Sequence, residues 1–181
     1  MIDRSLAEVS IHLFKESDID SIVDNFVLHH WPKPRSIFEK YLKEQEQGAR
    51  IVWVAYVRCG DHQQFTGYVT LTWHSLYHSF QKLNIPEIMD LNVLPPYRNQ
   101  RIGSKLLQTA ENHAFQKSDM VGIGVGLYAG YGAAQKLYIA RGYQSDGQGI
   151  TYNYKTVQYG EQVPLDDDLI LWLIKKSELY E

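Results

Sequence analysis

The chain has 181 residues, 44% of them apolar and 22% charged, with a net charge of −3, which suits one soluble globular domain able to bury a real core. That balance supplies no basic field to draw in nucleic acid, so any anion site has to be local. The single cysteine, Cys59, excludes an internal disulfide and a cysteine-based zinc cluster, and no apolar run approaches the roughly 20 residues a membrane span needs.

The opening MIDRSLAEVS is acidic and lacks the apolar stretch of a secretory signal, so a cytoplasmic location is expected. Residues 9–14, VSIHLF, alternate as a first strand. Ser17 is expected to cap a helix whose apolar face carries Ile19, Ile22, Val23, Phe26 and Val27. HHWPKP breaks it. Ser36 and Glu39 then have capping-box spacing for a second helix, with Ile37, Tyr41 and Leu42 inward and Gly48 at its end. RIVWVAYVR and FTGYVTLTWHS read as strands joined by the turn-rich CGDHQQ. In the second, Phe65, Val69, Leu71 and Trp73 alternate with Thr66, Tyr68, Thr70, Thr72 and His74. A short irregular stretch follows. The aromatic load, 13 tyrosines and 4 tryptophans, is more than a plain core needs.

EIMDLNVL is the next strand, and Pro95 and Pro96 stop it before a helix from about Ile102 to Lys117. Between them stand Arg98, Arg101, Gly103 and Lys105. A helix N-terminus exposes unpaired N–H groups and a positive dipole end, where cations are mildly unfavourable unless an anion joins them. Gln100 to Ser104 are placed to offer backbone donors to a phosphate, and glycine permits close approach. The bland alternative is a solvated basic helix start with Gly103 serving tight packing. A Walker lysine pattern is missing.

MVGIGVGL forms a fifth strand, with Gly122, Gly124 and Gly126 on one face. Glycine is costly inside a strand, so that face either gives a ligand room or takes close packing. A further helix spans about Tyr131 to Arg141 and ends at Gly142. The string GVGLYAG with Asp146 about 20 residues on is an imperfect dinucleotide fingerprint, one residue off the needed spacing. Ala134, Leu137 and Tyr138 share one helical face, where a tyrosine is usually core. A Tyr-rich, Gly-punctuated segment leads to the final strand LILWLIKK, and no linker divides residues 1–181.

In two places these motifs resemble the GNAT N-acetyltransferase superfamily. Arg98, Arg101 and Gly103 fall on its pyrophosphate loop, Arg/Gln-x-x-Gly-x-Gly/Ala, with Arg101 replacing the first glycine. Ala134, Leu137, Tyr138, Gly142 and Tyr143 fall on its second signature, with Tyr131 where Asn is frequent. The resemblance covers roughly residues 50–145. It implies an α/β (α+β) fold: one mixed, mainly antiparallel sheet of about six to seven strands, about four flanking helices, and splayed fourth and fifth strands. It implies acetyl-CoA as co-substrate, held by Leu91, Asn92, Val93, Arg98, Asn99, Gln100, Arg101, Ile102, Gly103, Ser104, Tyr131 and Ala134. The strand Asp90 to Leu94 would pair with the pantetheine arm, and the Val93 N–H would meet the oxyanion.

The implied reaction moves an acetyl group directly, in a ternary complex, to a primary amine of a small molecule or peptide. An alkyl ammonium near pKa 10.4 must first lose a proton. Asp90 is the expected base, directly or through a water, with a structural acceptor as the alternative; Tyr138 is the expected acid for the thiolate. His30, Trp31, Trp73, His74 and Tyr77 are the expected acceptor contacts, their aromatics suited to cation–π capture. No metal is expected, since His29 and His30 diverge and no further ligand spacing follows. Asp166 to Asp168 read as a solvated turn. No nucleic-acid or membrane partner is expected, and homodimers are frequent among relatives. The competing class is a catalytically silent acyl-CoA sensor or interaction module.

Overall fold

The computed structural model describes residues 8–177, so most of the segment read for a secretory signal lies outside the described residues. The strands are β1 (Val9–Leu13), β2 (Arg50–Cys59), β3 (His62–Thr72), β4 (Glu87–Val93), β5 (Met120–Gly126), β6 (Gln144–Tyr152), β7 (Lys155–Thr156) and β8 (Leu169–Lys176). They join in the hydrogen-bonded order β1-β2-β3-β4-β5-β8-β6-β7, a mixed sheet in which β4 and β5 run parallel. The helices are α1 (Ile19–Leu28), α2 (Arg35–Glu46), α3 (His78–Leu83), α4 (Ile102–Ala114) and α5 (Gly132–Ala140). The expected α/β class holds, with eight strands rather than six to seven and five α-helices rather than four among the described residues. The surplus comes from elements too short or too glycine-rich to show a period: the six residues of α3, and the β6–β7 pair. Contacts gather into two compact units, residues 8–71 with 90–110, and residues 72–89 with 111–177.

The first unit is built on an aromatic core. Phe14, Phe26, Phe38, Phe65 and Tyr68 are almost wholly buried beside Ile22, Val54 and Leu94. Each such side chain contributes about 1.5–3 kcal/mol relative to exposure. Helix α1 buries Ile19, Ile22 and Phe26, but Val27 is exposed, because only a narrow stripe of a ten-residue helix meets the core. Ser17 does not cap it. The chain enters through a 3-10 turn, Glu16–Asp18, in which the Asp18 carboxylate accepts from the Lys15 N–H at 2.8 Å and from the Tyr56 hydroxyl at 2.9 Å. Nor does the Ser36–Glu39 box form: α2 starts two residues earlier than a Ser36 cap would set it, with Pro34 at the cap position, and Glu39 accepts from Arg35 Nε at 3.0 Å. Gly48, at φ 72°, follows that helix. Strand β3 is buried on both faces, so its threonine face is interior: the Thr66 hydroxyl donates to the Ala55 carbonyl at 3.0 Å.

The second unit centres on Tyr77, Phe80, Ile85 and Trp172. Parallel pairing joins Glu87 to Gly122 and Ile88 to Ile123, two positions only, and the Gly122 N–H reaches the Pro86 carbonyl at 2.9 Å. Strand β5 pairs antiparallel with β8 along its whole length, and β6 pairs with β8 across an irregularity between Ser145 and Ile150. Buried Glu111 accepts from Arg141 Nε at 3.1 Å and from Lys175 at 3.1 Å, which compensates its charge. The glycine face of β5 serves close packing. A Cβ at Gly122 would lie 2.1 Å from the Phe80 ring, and one at Gly126 2.4 Å from the Tyr131 ring. The dinucleotide alternative fails, because Asp146 lies in an antiparallel strand rather than at the end of a second parallel one.

Candidate active site

In the first unit β4 hands over to α4 through an ordered loop. The Leu94 N–H bonds the Thr66 carbonyl at 2.9 Å, and Pro95–Tyr97 form a 3-10 turn. Gln100 Nε2 donates to the Pro96 carbonyl at 2.9 Å, and Arg98 Nε to the Val93 carbonyl at 3.1 Å. Asn99 and Arg101 take φ of 60° and 62°, the left-handed region that costs a side-chain-bearing residue about 1–2 kcal/mol. Arg101 thus adopts the backbone that the replaced glycine would supply. Its carbonyl accepts the Lys105 N–H at 3.0 Å, so the amides of Ile102, Gly103 and Ser104 precede the helical ladder. Those donors, the dipole end and exposed Arg101 fit a phosphate. The Arg98 guanidinium lies 5.8 Å from the Trp31 ring, which also meets Phe26 edge-on at 5.2 Å and Lys33 at 5.0 Å. The loop arginine and this expected acceptor residue therefore share one cluster, while neighbouring His30 is exposed at φ 55°.

Asp90 sits in the middle of β4, yet its φ is 50° and its side chain is exposed. A left-handed residue inside a strand breaks the alternation and turns the carboxylate out. The Tyr41 hydroxyl donates to Asp90 Oδ2, and Asn92 Nδ2 steadies the Asp90 carbonyl at 3.0 Å. Burial, then the Asp90 charge, holds the Tyr41 proton well above the ordinary phenol range. The Arg50 guanidinium lies 4.7 Å over the Tyr41 ring and bonds Glu44 at 2.5 Å and Thr70 at 2.7 Å. The Tyr68 hydroxyl is buried without a hydrogen bond of normal geometry; burial, then the charges of Asp90 and Tyr41, keep it protonated. Sequence reasoning read Tyr41 and Tyr68 only as facing positions. The signal available was a tyrosine on an otherwise apolar helix face, which is ambiguous without knowing what lies opposite.

In the second unit Tyr138 is 5% exposed, with its ring 5.8 Å from that of Tyr143. Half-buried Ala134 lies one turn earlier on α5, and neighbouring Gln135 donates to the Gly126 carbonyl at 2.8 Å. The Tyr131 hydroxyl donates to Asp167 at 3.0 Å, and burial, then that bond, raises its proton affinity. Asp166 and Asp167 are thus tied to tyrosines: Tyr128 reaches Asp167 at 2.6 Å and Tyr152 reaches Asp166 at 3.1 Å. Trp73 and His74 line a cavity of about 240 Å³ with Ser75, Phe80, Gln81 and Asn84. The other expected acceptor residue here, Tyr77, is 3% exposed. It stacks on Trp172 at 4.2 Å and donates to Asp146 at 2.7 Å, so its ring and hydroxyl are both engaged by protein. Its phenol is pushed up to about 12, first by burial. Among the described residues no group of three or more His, Cys, Asp or Glu could hold a metal, and no helix is long and apolar enough to cross a membrane.

Residues 48–145, just over half of the chain, match the family model described as an acetyltransferase (GNAT) domain. Solved structures of similar fold include an N-acetyltransferase from Staphylococcus aureus Mu50, with 16% identity, a TM-score of 0.65 and 94% and 99% of the two chains covered. The ribosomal-protein-S18-alanine N-acetyltransferase of Escherichia coli aligns at 15% identity and TM-score 0.63, over 93% and 94%. Arabidopsis thaliana NAA60, in complex with acetyl-CoA, aligns at 14% and 0.66, over 93% and 98%. At these identities the likeness is one of fold. No curated protein matches the chain by sequence.

Proposed function

The chain belongs to the GNAT acetyltransferase family, and from that premise we propose that it moves an acetyl group from acetyl-CoA to a primary amine of a small molecule or peptide. The observation that carries this reading is the loop before α4. Arg101 keeps a left-handed backbone at the position of the family's first glycine, ahead of the unbonded amides of Ile102 to Ser104. Left-handed residues occur elsewhere in the chain, as at the C-cap Asn84, but here one stands directly ahead of a helix N-terminus and carries a cationic side chain, which together suit an anion. NAA60 with acetyl-CoA bound, on a similar fold, supports the same coenzyme here.

In this reading Gln100 to Ser104 grip the diphosphate, and Arg98 and Arg101 add charge. The backbone of Leu91 to Val93 lies against the pantetheine arm, and the Val93 N–H steadies the carbonyl oxygen as it becomes negative. Asp90 takes a proton from the acceptor ammonium, directly or through a water, which frees the nitrogen lone pair. The C–N bond forms, the C–S bond breaks, and the Tyr138 phenol gives its proton to the departing thiolate; the second proton, released from the nitrogen as the amide forms, restores the phenol, and the proton on Asp90 leaves to water. Trp31, His30, Trp73 and His74 are candidates for acceptor contact; Tyr77 has its ring and hydroxyl engaged with Trp172 and Asp146. No step calls for a metal.

The test has two arms. Titration calorimetry with acetyl-CoA should show binding, weakened about 10- to 100-fold in Gly103→Pro, which deletes one charge-assisted donor in the first turn of α4, where no ladder bond is lost, with the far-UV circular dichroism checked because proline also restricts Ile102. Thiol release should then be followed with a panel comprising n-butylamine, spermidine, an aminoglycoside, free amino acids and a peptide with an open N-terminus. Binding without thiol release from any amine would favour the silent-sensor reading. No heat with acetyl-CoA removes both.

A further inference from the structure

We propose that Tyr41 is the positioning residue for Asp90: its phenol holds one carboxylate oxygen so that the other is presented to the acceptor ammonium. This rests on the reading of Asp90 as base. Three independent features converge on the pair. Asp90 is held at φ 50° inside β4, a conformation that surrounding contacts must enforce. Tyr41 donates to Oδ2, and no described side chain is recorded on Oδ1. The Tyr41 ring is itself fixed, edge-on to Phe38 at 6.2 Å and under the Arg50 guanidinium at 4.7 Å.

The cluster is also built to keep Tyr41 a donor. The titratable and charged groups in it are Tyr41 and Glu44 from α2, Arg50 from β2, Tyr68 from β3 and Asp90 itself. Arg50 bonds Glu44, which offsets its charge, and the Thr70 hydroxyl, while its guanidinium lies over the Tyr41 ring. A donor whose proton never leaves can orient a carboxylate without competing for the acceptor's proton. The hydroxyl of Tyr68, buried and without a bond of normal geometry, adds a polar group beside the pair where an all-structural cluster would have none. The chemical class this seat recognises is a cationic primary amine.

The experiment is a double-mutant cycle on the rate, with Tyr41→Phe, Asp90→Asn and the double variant, using acetyl-CoA with n-butylamine and with the best acceptor of the panel. Tyr41→Phe should lower kcat about tenfold with the acetyl-CoA KM within about twofold, since its ring still packs. Adding it to Asp90→Asn should change kcat less than about twofold, because the group it serves is gone. The proposal falls if Tyr41→Phe keeps the wild-type kcat, or slows Asp90→Asn by the factor it slows the wild type. Asp90→Glu moves the carboxylate off the phenol while keeping its charge, so a wild-type kcat there also overturns it. A fully active Asp90→Asn removes the base reading and this proposal together, while coenzyme binding stands; no turnover of any amine removes them with the transferase function.

Discussion

Arg101 shows how one residue can carry a family's backbone without its usual side chain. Its φ of 62° is one glycine adopts freely and arginine does not. Its guanidinium, where glycine has a hydrogen, is exposed at the mouth of α4, and in the proposed reading it adds charge for the diphosphate. Arg101→Gly should therefore relieve strain. After glycine's extra unfolded-state entropy is subtracted, the expected gain is about 0.5–1 kcal/mol, a rise of about 1–4 °C in melting temperature. Coenzyme affinity should fall modestly, and more at low salt than at high, because the lost contact is a charge at the surface. A variant that melts earlier would show that the loop's strain is imaginary. Asp90 is strained too, as Asn99 is, and at Asp90 the side chain has a specific partner, Tyr41.

At the scale of elements, β4 is the piece that has to be placed well, since it carries Asp90, Asn92 and Val93. Gly67 on β3 lets it come near. A Cβ at Gly67 would lie 2.4 Å from the Asn92 carbonyl oxygen and 3.1 Å from Val93 Cα, both backbone atoms that no rotamer change can move. Gly67→Ala should force β4 outward, at a cost of about 1–3 kcal/mol in urea unfolding and with a loss of turnover larger than the loss of stability would explain. Unchanged unfolding and turnover would mean β3 and β4 have slack. The buried Thr66, Tyr68 and Thr70 face of β3 belongs to the same account: polar side chains inside are tolerated where each finds a backbone or side-chain partner, as Thr66 and Thr70 do.

At the scale of the whole molecule, the tyrosines set the alkaline limit. Tyr41, Tyr56, Tyr68, Tyr131 and Tyr143 all hold their protons more tightly than a free phenol, burial being the first cause in each. The folded form therefore binds more protons than the unfolded chain once the pH reaches the ordinary phenol range near 10. Stability from this source is fully present below that pH and is lost as the pH rises above it. Urea midpoints should be level from about pH 7 to 9 and fall beyond about pH 10, with the phenolate absorbance of these five tyrosines appearing only as the protein unfolds; their reversible ionisation in the folded state, beyond that of exposed tyrosines such as Tyr159, would contradict this. The sequence by itself determined the α/β class, the main strands and helices, and the loop that feeds α4, because periodicity, proline stops and the Arg-x-x-Arg-x-Gly spacing are local signals. It misjudged the caps of α1 and α2: in place of a Ser17 cap the chain enters α1 through a 3-10 turn that the Asp18 carboxylate closes onto Lys15 and Tyr56, and Glu39 is claimed by Arg35, partners chosen by packing or by neighbours within the turn. It left α3 and β6–β7 unread, and it saw Tyr41 and Asp90 as unrelated. Those two are 49 residues apart in the chain, and only the tertiary structure, by packing α2 beside β4 around an aromatic core, could bring a phenol to a carboxylate.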